Sequence, residues 1–312
     1  MTESDKDYAI EIKNLRKEYG ELIAVNDISF KIRRGEVFSF LGPNGAGKTT
    51  TVEMIEMIRK PTNGVIKVLG RDIHKHHREI KQRIGVLPQE FDSFDRLTVR
   101  ETLQYFRGLY EKKKDIDKIM DMIDLRDYEK MLYKNLSGGL KQRVGVAITL
   151  VNDPDIIFLD EPTTGLDPKA RRDVWKVIEG LKSEGKTIFL TTHYMEEAEN
   201  LSDRIAVIHK GKIIARGTTD ELIKKYGEGI KLTIKGGEKK SIIQTITHLG
   251  FETNTNKNSD VIVKIVNNSQ IMDILNKLKE ENIAYREIDV RRSNLEEVFL
   301  NLTGEKLLEE ED

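Results

Sequence analysis

The octapeptide Gly42-Pro43-Asn44-Gly45-Ala46-Gly47-Lys48-Thr49 fits the spacing G-x-x-x-x-G-K-[ST]. Its glycines let the backbone fold tightly, so that several N–H groups can point inward at phosphate oxygens. A helix starting at the end of such a loop adds its positive N-terminus. In that setting Lys48 reaches terminal phosphates, and the Thr49 hydroxyl is available to Mg²⁺. A plain glycine turn with a solvated lysine is the alternative, and the context on either side weighs against it. The apolar run Val37–Leu41 leads directly into the loop, and residues 49–59 read as a helix after it.

Two carboxylates, Asp160 and Glu161, close the apolar run Ile156–Leu159. Residues alternate across a strand, so adjacent acids face different ways and can take different tasks. Asp160 can face a magnesium shell, which favours oxygen ligands and keeps several waters. Glu161 can face an attacking water. Taken alone, acids at a strand end are usually just the polar start of a loop. His193 follows another short strand, 187–192, and a lone histidine is more often structural than catalytic. His74, His76 and His77 sit in a charged helical stretch and read as surface. Ser137-Gly138-Gly139 opens a further helix with a hydroxyl, bare backbone N–H groups and a helix dipole, a second anion-binding start in one chain.

The elements that must hold these residues alternate. Strands are expected at 8–13, 25–32, 37–41, 156–159, 187–191 and 205–208, with a polar helical stretch over 98–132 opened by the capping box Thr98-Val-Arg-Glu101. That order predicts an α/β core with a largely parallel sheet. Beyond a Gly227-Glu-Gly229 linker, strand 230–235, helix 239–249, strands 251–255 and 260–266, helix 270–281 and strand 284–290 give a βαββαβ order, hence a small ferredoxin-like α+β domain. A final helix, 294–302, takes Ser293 as its cap and places Leu295, Val298, Phe299 and Leu302 on one face. That face can dock on the first domain or on a dimer mate, or simply pack its own domain. The expected division is 1–226, linker 227–229, 230–304, and an acidic tail 305–312.

Composition narrows the field further. The 312 residues carry 52 basic and 53 acidic side chains, a formal charge of -1, which gives no bulk attraction to nucleic acid. No apolar run approaches the length of a membrane span, and the first residues have no apolar signal core. There are no cysteines, so disulfides and thiolate metal sites are excluded, in keeping with a reducing cytoplasm.

Leu136-Ser137-Gly138-Gly139-Leu140-Lys141-Gln142-Arg143 resembles the signature LSGGQ-x-QR of the ABC (ATP-binding cassette) family. With the phosphate loop upstream and the Asp160-Glu161 strand downstream, residues 8–222 resemble an ABC nucleotide-binding domain. The resemblance implies a P-loop NTPase cassette: a RecA-like core with a helical subdomain and an antiparallel β subdomain. It implies ATP and Mg²⁺ as cofactors. By the same resemblance Tyr19 stacks on adenine and Gly42, Pro43, Asn44, Gly45, Ala46, Gly47, Lys48, Thr49 and Thr50 cradle the phosphates. Thr49, Gln89 and Asp160 serve the metal. Glu161 activates water, with His193, Gln89 and Lys48 as catalytic partners, and Asp167 belongs to the D-loop Thr164-Gly-Leu-Asp167. Leu140 departs from the family's commonest residue, glutamine, while the phosphate-facing Ser137, Gly138 and Gly139 match.

The family implies that Ser137, Gly138 and Gly139 serve the ATP of a partner cassette. Two cassettes, as a homodimer or a heterodimer, then pair head to tail around two ATP molecules. With no span of its own, the chain is expected to dock from the cytoplasm on the inner face of the membrane. Phe91 and Phe94, just after Gln89, suit a hydrophobic anchor for a membrane subunit's helix, or pack on the helical subdomain. Residues 288–304 resemble the tail of drug- and antibiotic-resistance exporters, which implies an ABC-2 type permease as partner. The alternative is a soluble ABC-type ATPase acting on ribosome or DNA. The single cassette, the short spacing between loop and signature, and the near-neutral charge weigh against it.

Overall fold

In the computed structural model, which describes residues 7–256 and 260–304, the chain divides into two compact units at Thr219/Asp220. The helix Thr219–Tyr226, which the sequence reading assigned to the first domain, opens the second unit. The acidic tail read at 305–312 lies outside the described residues.

The first unit is built on a six-stranded sheet in the order Lys212–Gly217, Arg204–His209, Val37–Leu41, Thr187–Thr192, Ile156–Asp160, Ile84–Leu87. All pairs are parallel except the Lys212–Gly217 edge. The three central strands are buried at every residue, which is why they read as unbroken apolar runs instead of alternating ones. Their alternation appears only in which core each residue enters. Val37, Ile157, Leu159, Ile188 and Leu190 join the core shared with the helices Val99–Gly108, Ile116–Met122, Gly138–Thr149 and Pro168–Ser183. Phe38, Phe40, Phe158 and Phe189 face the other way, where Phe30 of the strand Leu22–Arg33 stacks 5.4 Å from Phe38. That second core lies beneath a four-stranded antiparallel sheet, ordered Leu22–Arg33, Tyr8–Tyr19, Asn63–Val68, Arg71–Asp72.

Two expectations for this unit are corrected. The helical stretch over 98–132 is broken: Val99–Gly108 and Ile116–Met122 are helices, followed by single turns at Arg126–Tyr128 and Tyr133–Asn135. The first break contains Glu111-Lys-Lys-Lys114, and Asp115 caps the new start by accepting from Asp117 and Lys118 N–H. The helix after the phosphate loop ends at Ile55 rather than Arg59, because Met57 turns to φ 65°. The capping box at Thr98 and Glu101 is present with both reciprocal bonds.

In the second unit the βαββαβ order forms one antiparallel sheet, Thr253–Thr255, Val261–Ile265, Ile230–Lys235, Glu287–Arg292. Helices Lys239–His248 and Asn268–Glu280 contribute Ile242, Ile246, Ile274 and Leu278 to its core, against Leu232, Ile234, Val261 and Val263 of the strands. The last helix, Leu295–Thr303, buries Leu295, Val298 and Phe299. Its cap is Asn294, not Ser293: the Asn294 side chain accepts from Glu297 N–H at 3.0 Å. Ser293 Oγ instead donates to the Gly229 carbonyl at 2.8 Å and accepts from Glu228 N–H at 2.9 Å.

Candidate active site

Neighbouring parallel strands end together, and three of them end here. Val37–Leu41 pairs with Thr187–Thr192, which pairs with Ile156–Asp160, so the phosphate loop, His193 and Glu161 all leave one edge of the sheet. The Gly42 N–H still donates to the Thr192 carbonyl at 3.3 Å, which ties the start of the loop to the strand that leads to His193. Gly47 has φ 103°, and a Cβ there would stand 2.5 Å from the Ala24 carbonyl oxygen. Only glycine fits that turn, and it releases the chain into the helix Lys48–Ile55.

Lys48 is buried, and its Nζ donates to the carbonyls of Gly42 at 2.8 Å and Pro43 at 3.2 Å while standing 3.0 Å from Glu161 Oε1. The other carboxylate oxygen of Glu161 meets His193 Nδ1 at 3.0 Å, accepts from Thr164 Oγ1 at 3.2 Å and lies 3.3 Å from Gln89 Nε2. Burial pushes the Glu161 carboxyl up, but the His193 hydrogen bond and the Lys48 charge outweigh it and hold it at about 2. Glu161 is therefore ionised throughout the physiological range. Its backbone is left-handed, φ 49°, and its N–H is fixed by the Thr191 carbonyl at 3.1 Å and Oγ1 at 3.0 Å. A non-glycine residue in that conformation stores strain, a frequent mark of functional positions.

Asp160 points elsewhere, as the strand's alternation requires. Its carboxylate hydrogen-bonds the hydroxyls of Thr191 and Thr49. Burial raises its pKa against the Thr191 bond, and the Glu161 charge raises it further. Thr49 and Asp160 thus form an all-oxygen pair beside the loop, with the Gln89 side chain on the same cleft, a donor set that suits Mg²⁺.

A cavity of about 380 Å³ runs along these groups, lined by Tyr19, Leu22, Ala24, Asn44, Gly45, Gly47, Lys48, Thr49, Thr50, Gln89 and Glu161. Tyr19 stands at its outer end, 40% exposed, with Lys17 Nζ 4.9 Å from its ring centroid. Ala46 is buried. Ser137, Gly138, Gly139 and Asp167 do not line this cavity. Ser137 caps the helix Gly138–Thr149 by accepting from Leu140 N–H at 3.3 Å, and Leu140 itself packs on the helical core. Asp167 caps Pro168–Ser183, accepting from Lys169 and Ala170 N–H at 2.9 Å each. The two helix starts are close: a Cβ on Gly139 would come within 2.7 Å of Ala170 Cβ.

Phe91 and Phe94 divide between the two readings offered for them. Phe91 packs on the helical core, whereas Phe94 is 48% exposed and meets Tyr105 edge-on at 4.9 Å. His74 and His77 are exposed and His76 is partly so, and among the described residues no group of three or more His, Asp or Glu is disposed to hold a metal. Sequence reasoning missed Thr191, which contacts both acids, because a hydroxyl in a strand carries no distinguishing pattern, and it named Thr164 only as the start of the D-loop, not as a partner of Glu161. It also missed Glu56, a buried carboxyl at the end of the loop's helix, pushed up to about 8 by burial and then by the charges of Asp160 and Glu53.

Comparison with known proteins gives a consistent result. The family model described as "ABC transporter" matches residues 25–164. The chain is 34% identical over 306 residues to the daunorubicin resistance ATP-binding protein DrrA3 of Streptomyces coeruleorubidus, covering 96% of this chain and 97% of that one. It is 37% identical to the Nod factor export ATP-binding protein I of Burkholderia orbicola, over 96% and 98% of the two chains. The solved dimeric structure of MJ0796, a bacterial ABC transporter cassette, superimposes with a TM-score of 0.60 at 28% identity, covering 67% of this chain and 98% of that one. Likeness of that extent to ATP-binding relatives makes this chain a member of the ABC transporter family, and one of its ATPases.

Proposed function

We propose that this ATPase energises export through a separate membrane subunit of the ABC-2 type, docking on it from the cytoplasm and pairing head to tail with a second cassette when ATP binds. The observation that carries the chemical part is the ionised Glu161 carboxylate, held between Lys48 and His193 at the mouth of the phosphate loop. Lys48 and the loop from Gly42 to Thr50 bind the phosphates, and Tyr19 stacks on the base. Thr49, Asp160 and Gln89 would hold Mg²⁺, which offsets phosphate charge when bound. Glu161 accepts a proton from the attacking water, and His193 and Gln89 orient the groups around it.

The assembly part rests on features outside the cavity. Ser137, Gly138 and Gly139 open a helix whose N-terminus suits an anion, and Asp167 caps the neighbouring helix start. We assign that start to the γ-phosphate of a partner's ATP; hydrolysis then removes the charge that holds the pair closed. Export and an ABC-2 partner are supported by the relatives named for resistance and for Nod factor export. Among the described residues no helix is long and apolar enough to cross a membrane, so the translocation path is assigned to a partner. Phe94, five residues after Gln89 in the sequence, and Tyr105 are exposed together and suit its docking helix.

Sizing of Glu161→Gln and the unsubstituted chain, with and without MgATP, tests both parts. The variant is expected to bind ATP, convert to dimer more completely than the parent, and lose turnover by about 10²-fold or more. Parental turnover in the variant would remove Glu161 from the reaction, and ATP binding with no dimer would remove the head-to-tail pairing of this chain with itself.

A further inference from the structure

Glu197 is a carboxylate with no place in the scheme above, and it is completely buried. It lies in the helix Met195–Leu201, four residues after His193. Its Oε1 accepts from Thr163 Oγ1 at 2.8 Å and from the Trp175 indole Nε1 at 3.0 Å. Burial raises its pKa, while the Thr192 hydroxyl, the Oε1 bonds and the charge of Arg171 act the other way, and Oε2 is buried without a close hydrogen-bond partner. Arg171 in turn lies over the Tyr194 ring, 4.1 Å from its centroid.

These partners come from three segments. Thr163 stands two residues after Glu161 and four before Asp167. Arg171 and Trp175 lie on the helix that Asp167 caps. Thr192 and Tyr194 flank His193. Burying a carboxylate costs several kcal/mol unless fixed donors surround it, and an apolar side chain would fill the same space without that penalty. A carboxyl group with two directional donors on one oxygen does what an apolar filler cannot: it sets distances between the segments it joins.

We propose that Glu197 is a positioning residue for hydrolysis, a fully buried tie that, beside the Thr191 bonds to Glu161, holds the segment from Glu161 to Asp167, and the helix Asp167 caps, against the segment carrying His193. The proposal rests on the reading of Glu161 and His193 as the hydrolysis centre. Loss of the tie leaves the phosphate loop, Tyr19 and Lys48 untouched, because none of them contacts it. Nucleotide binding therefore persists while the Glu161–His193 distance, 3.0 Å here, is no longer imposed.

The chain contains one tryptophan, and it is Trp175, so tryptophan emission, excited to the red of tyrosine absorption, reports this node alone. Steady-state ATPase and Trp emission are measured on the full chain, on Glu197→Leu and Thr163→Val, which cut the tie from opposite sides, on the double variant, and on Glu161→Gln. Each single variant at the tie is expected to lose about tenfold or more in kcat, with KM for MgATP within about twofold of the parent. The double variant is expected to fall little further, since both changes remove one interaction. MgATP is expected to change Trp175 emission in the parent at the concentration that half-saturates turnover, and to lose that effect in Glu197→Leu. Parental kcat in Thr163→Val and Glu197→Leu overturns the proposal, as does a rise in KM that accounts for the loss. If Glu197→Leu does not fold, Thr163→Val decides by the same criteria. Full turnover in Glu161→Gln would instead overturn the hydrolysis centre itself.

Discussion

Glu161 and Glu56 are both buried glutamates within reach of Asp160, yet their environments drive them apart. Glu161 has a cation and an imidazole, and is held at about 2. Glu56 has only burial and two like charges, and is pushed up to about 8. Between its ordinary value of 4.5 and about 8, the folded chain keeps the Glu56 proton that the unfolded chain has lost. Folding therefore binds a proton in that window, and stability falls as pH rises through it. Glu56→Gln removes the titration. Its stability is expected to exceed the parent's by more at pH 8 than at pH 5, by about a few kcal/mol at most, as thermal melts at the two pH values would record through a larger rise in Tm at pH 8. Equal shifts at both would show that Glu56 is ionised when folded. None of this was visible in the sequence, where Glu56 is one acid in a charged helix. The loop, the two strand-end acids and His193 were legible, because their spacing or resemblance marks them. The ties between them, through Thr191, Thr164 and Glu197, depend on which strands lie side by side.

Elements were legible where one local signal decided them. The apolar runs at 37–41, 156–159 and 187–191 are strands because both their faces are buried, and no tertiary contact competes with that pattern. The stretch 98–132 was harder. Its polar faces suit a helix throughout, but lysines 112–114 sit at a turn stitched to the core by Lys114 N–H to the Val151 carbonyl at 2.9 Å. That contact is invisible to any local reading. The cap at Thr98 is local and gives a sharp expectation. Thr98→Ala removes the bond accepted from Glu101 N–H at 3.2 Å and the hydroxyl bond to the Glu101 carboxylate at 2.8 Å. The variant is expected to lose about 1 kcal/mol in urea unfolding, from fraying of a helix that presents Tyr105 and Phe106 to Phe94 and Phe91. No change in midpoint would mean that tertiary packing alone holds this helix end.

At the scale of the molecule, every proposed nucleotide group lies between Tyr19 and His193, within a unit that has two cores of its own. The second unit has a separate core and supplies none of them. A chain ending after Tyr226 is therefore expected to bind MgATP with a Kd within about threefold of the full chain, roughly 0.7 kcal/mol, by fluorescence titration. Loss of binding would make the second unit part of the nucleotide site. The ferredoxin-like order of that unit was readable from its alternating pattern, whereas its last cap was not: Ser293 and Asn294 are both good capping residues, and backbone geometry chose Asn294.

The two-residue alternation of the strand Ile156–Asp160 also limits how the length of this chain can vary. Asp160 closes the strand and Glu161 follows it in a left-handed turn, so both facings depend on how many residues separate them from the buried start of the strand. One inserted or deleted residue within that stretch would present Glu to the Thr49 side and Asp to the Lys48 side, with every core contact of Ile157 and Phe158 exchanged as well. Point substitutions can drift there, but indels cannot. The Leu109–Lys114 turn, whose residues are mostly exposed, carries no such count, and length changes between related chains are expected to collect in turns of that kind.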